Sequence, residues 1–149
     1  SDGRVDISLR LGALGAHLGR GALTAATELA QAVVETATSV GASITVEAEP
    51  TLDQGDVISA AHTMREVPGA RVAIALPSSQ PRTEEDCARL AADGWQLVVV
   101  SRDAARLEAA FGNAHLQVVA DCSTPAGVAQ IFSAAVAASL TPTECPKSP

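Results

Sequence analysis

The 149-residue chain has no tyrosine, one tryptophan and two phenylalanines, and its only lysine is Lys147. A core without aromatic bulk must be built from Ala, Val, Leu and Ile, whose small side chains let helices approach a sheet closely. Ten basic residues face seventeen acidic ones for a formal charge of -7, so a nucleic-acid groove would lack the cationic density that neutralises phosphates. No nucleic-acid partner is expected. No apolar run reaches the roughly 18 residues of a membrane span, and no basic stretch followed by a hydrophobic one opens the chain. The expectation is a soluble domain without a membrane span, with cytoplasmic and exported locations both open. Cys87, Cys122 and Cys145 are too few and too scattered for a disulfide framework, and no Cys-x-x-Cys or Cys/His cluster suits zinc. No metal site and no cofactor is implied.

What is present is a repeated strand-then-helix grammar in a chain that is 47% apolar. The clearest instance is Leu97-Val98-Val99-Val100, an apolar run that breaks at Ser101-Arg102-Asp103 into a helical pattern ending at Phe111. Upstream, Val5, Ile7, Leu9 and Leu11 alternate with Asp6, Ser8 and Arg10, as in a strand with one wet face. Glycines at 12, 15, 19 and 21 interrupt the chain before a helix whose stripe runs from Leu23 to Val40, with Gly41 as its stop. Ile44, Val46 and Ala48 form a second alternating strand. Asp53 or Asp56 caps a helix carrying Val57, Ala61 and Met64, closed by Pro68-Gly69. The next strand spans residues 72–76, and its lack of alternation implies burial on both faces. Thr83 with Asp86 has capping-box spacing for a helix carrying Cys87 and Leu90. After Gly112-Asn113, residues 116–120 form the last strand. The final helix has the stripe Val128, Ile131, Phe132, Ala135, Val136 and Leu140.

The sum is a βαβαβαβαβα order, which favours a largely parallel sheet. The expected fold is α/β: a three-layer αβα sandwich, Rossmann-like, with a mostly parallel sheet of about five strands. Residues 71–76, 97–100 and 116–120 are expected at its centre, with 5–11 and 44–48 near the edges. Residues 1–141 are read as a single domain and 142–149 as a flexible tail.

In open α/β sheets, binding groups gather beyond the carboxyl ends of the strands, where helix N-termini also point. That rule collects Ser78, Ser79 and Arg82 from one loop, Ser101 and Arg102 from a second, and Asp121, Cys122 and Ser123 from a third. Backbone donors at a helix start suit a phosphate or carboxylate, assisted by Ser78, Ser79 or Arg82. Plainer roles compete with this one. Ser79 and Gln80 before Pro81 suit a turn, and Arg102-Asp103 suits a solvated turn and a helix cap. Cys122 near a helix start has the setting of a reactive thiol, but a nucleophile needs an oriented base. His17, His62 and His115 are the candidates; His17, in the glycine-rich segment, is the one able to reach a strand-end crevice.

Residues 70–132 resemble the opening half of a short-chain dehydrogenase/reductase nucleotide-binding domain. The similarity lies in the phrase from Ala91 through Leu97-Val98-Val99-Val100-Ser101-Arg102 and in Leu116-Gln117-Val118-Val119-Ala120-Asp121. The resemblance implies an arginine, Arg102, facing the adenosine phosphate of NADP, and an acid, Asp121, beside the adenine. Pro77-Ser78-Ser79-Gln80-Pro81-Arg82 stands where that family has its glycine-rich turn, and its two prolines remove backbone donors. A chain without tyrosine cannot perform that family's tyrosine chemistry.

The leading expectation is a non-enzymatic binding or protein-interaction domain, its partner a protein or a small anionic ligand, part of a larger assembly. The alternatives are a degenerate nucleotide-binding module and a small enzyme using residues 78–82, 101–103 and 121–124.

Overall fold

Each apolar run of the sequence becomes a short strand, and each 3.6-residue stripe becomes a helix. In chain order these are β1 (Asp6–Leu9), α1 (Ala22–Ser39), β2 (Ser43–Glu47), α2 (Gln54–Arg65), β3 (Val72–Ala75), α3 (Thr83–Ala92), β4 (Val98–Ser101), α4 (Ala104–Phe111), β5 (Leu116–Val119) and α5 (Pro125–Ala137). A 3-10 turn, Leu11–Leu14, follows β1. The computed structural model describes residues 5–77, 80–111 and 116–137, apart from the side chains of residues 132, 135 and 136. The architecture is the expected Rossmann-like α/β alternation. Its strands fall into a three-stranded sheet of order β1-β2-β3 and a two-stranded sheet, β4-β5. Every pairing is parallel. The chain divides into two compact units between Ala75 and Leu76.

In the first unit the register sets Ile7, Ile44 and Val72 in one row and Leu9, Val46 and Ile74 in the next. Helix α1 buries Ala26, Ala30, Val34 and Ala37, and it packs on β2 and on α2. Three of these four are alanines, whose methyl side chains keep little bulk between helix and sheet. Helix α1 ends as expected before Gly41, which adopts φ 74°, a left-handed conformation that costs other residues energy. Asp53, rather than Asp56, caps α2, accepting from the amides of Gly55 at 2.8 Å and Asp56 at 3.3 Å.

The alternation of residues 44–48 suggested an edge strand, yet β2 lies between β1 and β3. Its polar positions, Ser43 and Thr45, are buried and donate to the Asp6 carboxylate at 3.2 and 3.1 Å. A polar row closed by hydrogen bonds mimics, in sequence, a row left wet for solvent. β3, expected at the centre, is an outer strand of its sheet. Burial on both faces depends on the layers above and below, and does not fix a strand's place along the sheet.

In the second unit, Val98 pairs with Leu116 and Val100 with Val118. With Ala120 and Ile131 of α5, the residues Val98, Val100 and Val118 form a buried cluster against which Leu116, Cys122 and Ala134 pack. The alternate β4 residues, Val99 and Ser101, share a cavity wall with α3 and α4. Strand β4 thus has helices on both faces. Thr83 does not cap α3. It is that helix's first residue, and its buried hydroxyl donates to the Pro77 carbonyl at 2.6 Å. Gly112-Asn113, His115, Leu140, the tail at 142–149 and the side chains of Phe132, Ala135 and Val136 lie outside the described residues.

Candidate functional site

Parallel pairing brings the carboxyl ends of β4 and β5 to one rim. The amide of Ala120 donates to the Ser101 carbonyl at 3.0 Å, so residues 101–103 and 121–123 emerge side by side. Asp121 accepts from the Ser123 hydroxyl at 2.6 Å and the Ser123 amide at 2.9 Å. These bonds hold its carboxyl below the usual carboxylate range, with the positive charge of Arg102 adding to the effect. Arg102, Asp121 and Ser123 are therefore brought together, as the topology predicted.

The amides at this rim are largely occupied. Asp103 caps α4 by accepting from Ala105 at 3.0 Å and Arg106 at 3.2 Å. The Asp103 amide in turn donates to Ser101 Oγ at 3.1 Å. Thr124 caps α5, accepting from the Gly127 amide at 3.0 Å while donating to the Asp121 carbonyl at 3.0 Å. A Cβ at Gly127 would lie 1.9 Å from that carbonyl oxygen, so glycine is what allows the first turn of α5 to close on the loop. Phosphate would have to displace the protein's own acceptors at α4 and α5.

The other candidates divide. Arg82 is engaged with the buried Asp86, Nε to Oδ2 at 2.8 Å and Nη2 to Oδ1 at 3.3 Å. Cys122 packs on the Val98–Val100 side of β4, the side opposite Val99 and Ser101. Cys87 and Cys122 are both free of disulfides. His17 belongs to the first unit and Cys122 to the second. Ser78 and Ser79 lie outside the described residues.

Ser101 belongs to a pocket that sequence reasoning missed in part. Helix α3 lines it with Thr83, Glu84 and Cys87, β4 with Val99, Val100 and Ser101, and α4 with Arg106, Leu107, Ala110 and Phe111. Its volume is ≈ 40 Å³, room for about three waters. Ser101 and Thr83 are each only 5% exposed, and Cys87 1%. The site lies at the carboxyl end of a parallel strand, where α/β folds bind ligands. Glu84 and Arg106 gave no local signal, because three elements distant in sequence must pack before the cavity exists. Alternation within β4 was the one usable clue: Val99 and Ser101 share a face.

Among the described residues, no group of three or more His, Cys, Asp or Glu side chains could hold a metal ion. No described helix is long and apolar enough to cross a membrane. No protein-family model matches the chain, and no match was found among curated proteins or solved structures.

Proposed function

We propose that this chain is a non-enzymatic binding domain that takes a small ligand in the pocket between α3, β4 and α4. The observation that carries this reading is the placement of a cavity with apolar walls and buried hydroxyls at the carboxyl end of β4. Convergence of a few polar groups on an apolar hollow is the usual chemistry of a small-molecule site. A nucleotide fits less well. The pocket is small, the amides at α4 and α5 are occupied, and residues 77–82 lack the glycines that admit a pyrophosphate.

The test uses protein labelled at its Val, Leu and Ala methyl groups and a panel of small fragments. Fragments are expected to shift Val99, Leu107 and Ala110, and to lose that effect in Ala110→Phe, whose new ring would cover the exposed rim. Far-UV circular dichroism of the variant should match the parent. A panel that leaves those methyls unmoved overturns the reading. Millimolar NAD, NADP, ATP or FAD shifting the residues around Arg102 and Asp121 would favour a nucleotide module instead.

A protein-interaction role is favoured by β1. This outer strand has Ile7 at 36% and the preceding Val5 at 58% exposure, and a sheet edge is a template for an added strand. Photo-crosslinking from position 7 should then capture a partner, and Ser8→Pro should abolish the adduct without moving the pocket methyls.

A further inference from the structure

Resting on the pocket reading above, we infer that the ligand is a small zwitterion with a short apolar side chain, of the class of the aliphatic α-amino acids. Three features of the pocket match its three parts. Ser101 is 5% exposed. Its oxygen accepts from the Asp103 amide, while its own proton is given to no acceptor among the described residues. A hydroxyl with an unspent donor inside a cavity favours an acceptor on the ligand. Arg106 lines the same cavity and has no ion pair among the described residues. A carboxylate satisfies both Ser101 and Arg106.

Glu84 sets the second requirement. Its side chain also lines the pocket and, like Arg106, has no ion pair among the described residues. A simple carboxylate would place like charges together, whereas an ammonium one carbon away turns that repulsion into attraction. The remaining wall is Val99, Leu107 and Phe111, which suits a branched aliphatic group. A cavity of roughly three waters with an open mouth encloses only part of such a ligand, the rest lying at the mouth with the exposed Glu84 and Arg106 side chains. A peptide or nucleotide is too large.

The probes are L-valine, valinamide, which lacks the carboxylate, and isovalerate, which lacks the ammonium, each titrated against the methyl-labelled full chain. L-Valine is expected to shift Val99 and Leu107 with an affinity about tenfold or more above either analogue, the effect of one charge-assisted hydrogen bond. Arg106→Gln should weaken valine about tenfold and leave valinamide unchanged. Glu84→Gln should weaken valine and leave isovalerate unchanged or improved. The methyl spectrum of each variant reports that its fold is intact. Valinamide or isovalerate binding as tightly as valine overturns the zwitterion and leaves the pocket reading standing. Binding by neutral fragments but by none of these three does the same. No probe or fragment moving the pocket methyls removes both.

Discussion

Glu47 holds two donors at once, Ser8 Oγ at 2.9 Å and Arg10 Nε at 2.8 Å. The bond from Arg10 is the main reason its carboxyl lies below the usual range; burial opposes the shift, and Ser8 reinforces it. A carboxyl lowered in the folded state stabilises the fold at pH values above its unfolded pKa, about 4.3. That stability is lost as pH falls through the lower folded value. The Arg10 side chain is 66% exposed, so solvent screens the pair and leaves it a weak contributor. Glu47→Gln should lose little stability at pH 7. It should also flatten the acid limb of a series of urea midpoints taken from neutral pH down to about pH 2. Parallel limbs for the two proteins would show that the carboxyl is not lowered.

At the scale of elements, two glycines make opposite forecasts. A Cβ at Gly127 meets the Asp121 backbone carbonyl at 1.9 Å, whereas a Cβ at Gly12 meets Glu49 Oε1, the far end of a flexible side chain, at 2.0 Å. Gly127→Ala must move backbone at the start of α5, and overpacking of that kind costs about 1–3 kcal/mol. Gly12→Ala asks only that Glu49 swing aside, giving up the bonds it accepts from the Gly12 amide at 3.1 Å and the Thr51 hydroxyl at 2.9 Å. Chemical denaturation should rank the first variant well below the second; equal midpoints would contradict the close approach. Neither contrast was legible beforehand, since a glycine near a helix start looks alike whatever stands opposite it. The helices and strands were legible, because the apolar pattern survives in the residues themselves: α1 ends at Ser39 before Gly41, and β4, expected over 97–100, runs one residue later, from Val98 to Ser101. The rim formed by residues 101–103 and 121–123 was legible too, because parallel strands put their carboxyl ends at one edge. Hidden were facts about partners. Asp6 closes the polar row of β2, Arg82 is taken up by Asp86, and α3 and α4 lend Glu84 and Arg106 to a cavity on β4.

For the molecule as a whole, the charge of -7 sets what it will meet. Long-range repulsion from a polyanion leaves no counterions to release, so affinity for duplex DNA should be undetectable even at low salt. Anisotropy of a labelled duplex titrated with the protein at about 50 mM salt checks this; a saturable rise that weakens with added salt would contradict it. Small anions feel a more local rule. At the start of α4 the carboxylate of Asp103 is bound to the same chain as the amides it satisfies. A phosphoryl group arriving from solution therefore meets a tethered competitor that cannot diffuse away. Selectivity at this rim begins with an inhibitor the protein carries as one of its own side chains.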